Sequence, residues 1–274
     1  MTPPWEELFC FLIVAGYVRS LVRRPAPERR WALQTYVLIA SSGWIGEETC
    51  IRAYGFYAYS PGWWVWLDLV PLAVVVVWPV VILSALELAK SLSSRNPALL
   101  CAGIVLADAA LIEPVAVRSG LWRWTEPGLF GVPPIGILGW SLFTIAAATW
   151  LDRTRARPRA AAAVVLVAPL ACHLSLLVSW WGALRWVNGP LPDWAGPALV
   201  WPVALAVTGA VWRARATAPL GLLLGRLPGA LMFFVLLALR GRDDVALVAY
   251  VVAFSLPYLA LSTLAWRRRR RALG

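Results

Sequence analysis

The chain has 274 residues, of which 61% are hydrophobic and only 14% charged, against about 45–50% apolar and about 25% charged in soluble domains. With a mean hydropathy of +0.71, a soluble enzyme is close to excluded, as are a disordered chain and a collagen-like or disulfide scaffold. What remains is an all-α fold, a polytopic transmembrane helix bundle forming a single integral membrane domain over residues 1–274.

The 25 Lys and Arg residues outnumber the 14 acids, for a net charge of +11. In a soluble protein that excess suggests nucleic acid. Here the basic residues sit between apolar blocks and no polar domain is left to carry such a site, so the reading is membrane orientation and no nucleic acid. The four cysteines, Cys10, Cys50, Cys101 and Cys172, form no CxxC pair and read as small buried hydrophobes. The start, MTPPWEELFCFL, has acids where a secretion signal carries basic residues.

A span needs about 20 mostly apolar residues. In chain order the candidates are Trp5–Val22, Trp31–Ile51, Trp63–Leu88, Pro97–Val117, Gly131–Leu151, Ala160–Trp181, Trp194–Trp212, Ala218–Leu239 and Asp244–Trp266. Arg226 and Pro228 interrupt the eighth, which is expected to be broken or interfacial, leaving eight or nine spans. Arg19, Arg23, Arg24, Arg29 and Arg30 follow the first span. Lys90 and Arg95, then the Arg153–Arg159 cluster, then Arg213 and Arg215, then Arg267–Arg271 follow alternate later spans. The positive-inside rule therefore places the C-terminus in the cytoplasm and the N-terminus outside, in the cell (inner) membrane. Many of the 18 tryptophans mark span ends as interfacial belts, but Trp78, Trp140 and Trp201 fall inside spans. No internal repeat is evident.

Ionisable residues inside spans are costly and are functional candidates by default. Glu47 and Glu48 lie late in the second span, Asp68 near the outer end of the third, and Asp108 and Glu113 in the fourth. The adjoining connections, IRAYGFYAYSPGWW and VRSGLWRWTEPG, add Tyr57, Tyr59, Trp122 and Trp124 on the same side. An interfacial belt with structural ion pairs would account for the same residues. The single histidine, His173, excludes histidine-rich di-iron chemistry and reads as a satisfied buried residue. GxSxG, HExxH, P-loop, DxxxD and Gly-rich dinucleotide motifs are absent. No metal and no cofactor are therefore expected. Carboxylic acids in an apolar, aromatic-lined cavity remain. A carboxyl in low dielectric can stay protonated and donate a proton to an electron-rich alkene, and Trp and Tyr faces stabilise the resulting cation. Water capture gives a tertiary alcohol, whereas capture by an internal alkene gives a ring.

Two stretches carry a family resemblance. One runs Tyr57-Ala58-Tyr59, Val70-Pro71-Leu72 and Trp78. The other runs Asp108, Glu113-Pro114-Val115-Ala116, Gly120-Leu121-Trp122-Arg123-Trp124, Gly131-Val132-Pro133 and Gly139-Trp140. Over residues 47–151 this order resembles the carotenoid-biosynthesis integral membrane protein family, which includes hydratases of the terminal double bond of acyclic carotenoid ends. The usual Asn before the Gly-Trp pair is Gly136 here, and TCIRAYGF stands where the family has a Gly-rich run. By position the resemblance implies a site of Glu48, Tyr57, Tyr59, Asp108, Glu113, Trp122, Trp124 and Trp140. Pro4-Trp5-Glu6-Glu7 is similar to a Pro-x-Glu-Glu motif of small membrane-embedded lycopene cyclases.

The expectation is therefore an enzyme acting on a hydrophobic isoprenoid or carotenoid substrate in the lipid bilayer. Asp108 or Glu113 is the expected proton donor, with Glu48 or Asp68 orienting water or tuning it. Tyr57, Tyr59, Trp78, Trp122, Trp124 and Trp140 would line the cavity. Cyclisation is the alternative chemistry, and an isoprenoid-lipid carrier the alternative outside enzymes.

Overall fold

A computed structural model describes residues 5–93 and 95–273, with side chains through Arg270. Pro4 and the side chain of Arg271 lie outside the described residues. The helices are α1 (Trp5–Val22), α2 (Ala26–Tyr54), α3 (Leu72–Leu92), α4 (Pro97–Arg118), α5 (Pro134–Thr154), α6 (Pro158–Ala162), α7 (Val164–Ser179), α8 (Arg185–Val187), α9 (Ala195–Ala214), α10 (Leu220–Arg240), α11 (Val245–Ala253) and α12 (Ser255–Leu273). A π-helical turn, Trp180–Leu184, joins α7 to α8. The chain is thus an all-α polytopic bundle.

Among the described residues seven helical stretches are long and apolar enough to cross a membrane: α3, α4, α5, residues Val164–Val187, α9, α10 and residues Val245–Arg270. The two other long helices, α1 and α2, occupy the first two predicted spans but carry more charge, with Glu6, Glu7 and Arg19 in α1. The eighth predicted span is one continuous helix, not a broken one, with Pro228 inside it. Proline removes one backbone donor but does not stop a helix packed among neighbours. The third span is corrected at its start. Residues from Trp63 to Pro71 form a hairpin of β2 (Trp66–Leu67) and β3 (Val70–Pro71), and helix begins only at Leu72. Asp68, at φ 57°, is the turn residue of that hairpin. Asp tolerates this left-handed conformation far better than a branched residue.

Five helices close into a ring, each packed on the next: α2 on α3, α3 on α4, α4 on α5, α5 on α7 and α7 back on α2. Two short strands, β1 (Tyr57–Tyr59) and β4 (Trp122–Trp124), pair antiparallel across one end of the ring. The register sets Tyr57 opposite Trp124, Ala58 opposite Arg123 and Tyr59 opposite Trp122. Successive strand side chains alternate faces, so all four aromatic residues share one face, toward the ring interior. Arg123 on the other face is exposed. The remaining helices pack outside the ring, α1 and α10 against α3, and α9 against α11 and α12.

Gly55 ends α2 at φ 61°, its N–H donating to Ile51 C=O at 3.0 Å, and so turns the chain into β1. A side chain there costs about 1–2 kcal/mol in the left-handed region. Gly55→Val is accordingly expected to lower the thermal unfolding temperature of the detergent-solubilised protein, whereas Gly16→Ala, in a regular helix with open space around it, is not.

Candidate functional site

A cavity of about 520 Å³ lies between the ring and the helices packed outside it, lined mainly by apolar side chains from α1, α2, α3, α4, α5, α7, α10 and α12 and capped by the β1–β4 ribbon. Two of the carboxyl groups that reach it, Glu47 on α2 and Glu113 on α4, come from walls on either side of α3. Each is wrapped by neutral donors.

Glu113 Oε2 accepts from the indole N–H of Trp122 at 2.8 Å and of Trp124 at 2.9 Å, and Oε1 accepts from Trp140 at 2.8 Å. Its residue exposure is 2%. Glu47 Oε1 accepts from the indole N–H of Trp78 at 3.0 Å, and Oε2 accepts from Tyr59 Oη at 2.8 Å and from Tyr57 Oη. Burial first, and then the Glu47 carboxyl group beside them, push both phenols well above their usual range. Both therefore keep their protons and stay hydrogen-bond donors.

The donors of the two cages also pack on one another. Trp78 lies 4.5 Å from Trp140, Tyr57 4.7 Å from Trp124 and Tyr59 5.8 Å from Trp122, centroid to centroid. Each pair takes one ring from the Glu47 cage and one from the Glu113 cage, so neither cage can shift alone. Such pairs contribute about 0.5–1.5 kcal/mol each beyond their burial. Glu113 is followed by Pro114 and Trp78 by Pro79, both inside helices. Each proline removes a helical backbone bond beside a cage residue.

Of the residues singled out from sequence, Glu113, Tyr57, Tyr59, Trp78, Trp122, Trp124 and Trp140 come together here. Asp108 lines the same cavity but is ion-paired with Arg226. Glu48 and Asp68 do not join them. Glu48 Oε1 accepts from Arg52 Nε at 2.7 Å and Oε2 from the Leu69 N–H at 3.1 Å. Arg52 also binds the exposed Asp68. These three residues clip the β2–β3 hairpin onto α2, away from the cavity. The acid that α2 turns inward is Glu47, one residue and 100° of helical rotation from Glu48. It shares its face with Gly43, Cys50 and Tyr54, at spacings of four, three and seven, all of which line the cavity. No local signal separates this face from the one that carries Glu48.

The N-terminal acids lie elsewhere. Glu7 accepts from the backbone N–H of Trp64 at 2.7 Å and of Val65 at 3.1 Å, and Glu6 pairs with Arg240 at 2.8 Å. They brace the hairpin and α10. His173 is satisfied by neighbours. Thr49 Oγ1 lies in hydrogen-bond contact with His173 Nε2 at 2.7 Å, and Tyr54 Oη with Nδ1 at 2.9 Å, so both ring nitrogens have a hydroxyl partner. Among the described residues no three His, Cys, Asp or Glu side chains form a metal-ligand set.

Gly136, where the related pattern has Asn, now has a physical account. A Cβ at this position would lie 2.6 Å from Trp124 Cζ2. The space of a larger residue is taken by the Trp124 ring, which Tyr57 packs against on the ribbon.

The model of one protein family, described as carotenoid biosynthesis protein, matches residues 8–212, most of the chain. No curated protein and no solved structure matches.

Glu113→Gln replaces one acceptor oxygen with an NH2 that faces indole donors unable to accept. This substitution is expected to cost about 1–3 kcal/mol, read as a lower unfolding temperature, whereas Asp68→Asn on the exposed hairpin turn changes it little. Gly136→Ala is expected to displace the Trp124 indole and alter the intrinsic tryptophan emission, an effect that Gly103→Ala, with open space around it, does not share.

Proposed function

The chain belongs to the carotenoid biosynthesis protein family, and on that premise we propose that it is a cofactor-independent acid catalyst that hydrates a terminal double bond of an isoprenoid polyene. The observation that carries this reading is the pair of carboxyl groups on one apolar cavity, each held by three neutral donors and neither balanced by a cation.

The two cages suit different protonation states. Indole N–H groups only donate, so three of them around Glu113 match a carboxylate. Phenol hydroxyls both donate and accept, so the Glu47 cage accommodates a carboxylic acid, whose O–H then has a tyrosine oxygen as partner. Glu47 is also the more open of the two to the cavity, being half-buried where Glu113 is sealed. Glu47 is thus the proton donor. Its O–H proton goes to the less substituted alkene carbon, the π pair forms the new C–H bond, and a tertiary cation remains. Water adds to that cation through an oxygen lone pair, and the oxonium proton returns to the Glu47 carboxylate. The sum is alkene plus water to tertiary alcohol, with the acid regenerated.

Glu113 supplies a fixed negative charge as the cation forms, and the faces of Trp78, Trp140, Trp122 and Trp124 supply quadrupole attraction. Capture of the same cation by an internal alkene would give the cyclase. The acids of the Pro-Trp-Glu-Glu stretch lie outside the cavity, so nothing specific favours that outcome. A carrier has no use for an acid held open to an apolar cavity. In the cell we place the protein in the inner membrane, C-terminus in the cytoplasm, with a hydrophobic carotenoid or related isoprenoid entering from the bilayer.

Expression in a lycopene-producing host, followed by mass analysis of the pigments, tests this. A gain of one water per modified end is the expected result, an isomer of unchanged mass means cyclisation, and unaltered pigment bound to correctly inserted protein means a carrier. Glu47→Gln is expected to lower turnover by about 10²–10⁴-fold, with Glu48→Gln and Asp68→Asn close to wild type. If Glu47→Gln keeps full turnover, the donor assignment is wrong.

A further inference from the structure

A second polar cluster stands on the same cavity wall, five residues before Glu113 on α4. Asp108 accepts from Arg226 on α10 and, at 3.3 Å, from Tyr258 Oη on α12. Arg226 Nη1 also donates to Ser84 Oγ on α3 at 2.6 Å, and Nη2 to Tyr258 Oη at 3.3 Å. The side chains of Arg226 and Asp108 are 11% and 17% exposed, and all four residues line the cavity. The Nε–H of Arg226 is left over, because Nε is buried and has no partner among the described residues. There is also room beside it. Gly229, one helical turn on, and Gly225, adjacent, both line the cavity, and a Cβ at either would meet nothing within 4 Å.

An ionisable pair in the middle of an apolar bundle is costly. A purely structural tie between α4 and α10 needs no donor to spare and no glycines beside it. Guanidinium N–H groups donate only, so the atom that completes the set is an acceptor, an oxygen. The charge of Arg226 is already matched by Asp108. A phosphate or carboxylate would therefore leave one uncompensated negative charge in low dielectric, whereas a hydroxyl or carbonyl oxygen brings none. Arg226 and Tyr258 both lie beyond residue 212, where the family match ends. Half of the cluster therefore comes from beyond the matched residues, while Asp108 and Ser84 lie within them.

We propose that Arg226, held by Asp108, Tyr258 and Ser84, is a polar subsite that binds a neutral oxygen of the isoprenoid ligand, so that the protein selects an oxygenated polyene over the corresponding hydrocarbon. The subsite deepens the reading given above and rests on it for the isoprenoid nature of the ligand.

The test is a binding titration of the full-length protein in lipid nanodiscs, read by quenching of tryptophan fluorescence, with lycopene and monohydroxylated lycopene as probes. The wild type is expected to bind the hydroxylated polyene about tenfold more tightly, the size of one hydrogen bond to a charged group. Arg226→Lys keeps the charge opposite Asp108 but has no Nε–H. The double variant Asp108→Leu with Arg226→Met removes both charges together. Both are expected to abolish the preference and leave lycopene affinity within about twofold. Equal affinity of the wild type for the two probes overturns the subsite, as does a preference that survives in both variants. Tighter binding of geranylgeranyl diphosphate than of monohydroxylated lycopene overturns the neutral-oxygen assignment. Turnover without a binding preference sinks this subsite alone. A preference that persists in a wild type unable to convert any polyene sinks the catalytic reading alone.

Discussion

The register of a two-stranded ribbon three residues long determines most of what the cavity contains. Because side chains alternate along a strand, pairing Tyr57 with Trp124 and Tyr59 with Trp122 puts two phenols and two indoles on one face. From there they reach an acid on α2 and an acid on α4. A slip of one residue in either strand would turn its aromatic pair away and bring in Ala58 or Arg123. Arg123 facing inward would set a cation against Glu113 and cancel its charge. The register is held beyond the strands themselves. Ser60 N–H donates to Leu121 C=O at 2.9 Å and Thr125 N–H to Phe56 C=O at 2.7 Å, while Gly55 and Gly120, both at positive φ, lead into the two strands.

The acids of this protein divide by the kind of partner they have. Glu6, Glu48, Glu87 and Asp108 each face an arginine that balances their charge, and the first three of these pairs hold elements together. Glu47 and Glu113 face only neutral N–H and O–H groups. Neutral donors offset the loss of water around a buried carboxyl group without removing its charge or its proton. An apolar cavity lined this way retains acid and counter-charge for a ligand. The packing of Trp78 against Trp140, and of each ribbon tyrosine against a ribbon tryptophan, in tilted or edge-on pairs, fixes the two groups relative to each other.

Acids that look functional in a linear reading hold the β2–β3 hairpin in place, away from the cavity. Glu7 from α1, and Glu48 and Arg52 from α2, all bind the hairpin that precedes α3. Their conspicuous place beside the aromatic connections comes from this bracing. Gly136 works by what it leaves out, since the Trp124 ring occupies the volume that a side chain there would need.

Apolar runs of span length, and charges confined to their ends, determined the bundle and nearly every helix in it, because hydropathy and helix length are local properties of the chain. Glu113 and the aromatic residues around it were legible for a related reason: charge and indoles are rare inside apolar segments and stand out wherever they fall. The choice between Glu47 and Glu48 was not legible. It depends on which face of α2 meets the ring, a rotation of 100° set by packing against α3 and α7. The role of Asp68 turned on a hairpin inside what reads as a continuous apolar run. The pairing of Asp108 with Arg226 joins positions 118 residues apart. Only the tertiary structure brings those helices together, since no local preference encodes which distant side chain will share a low-dielectric cavity with another.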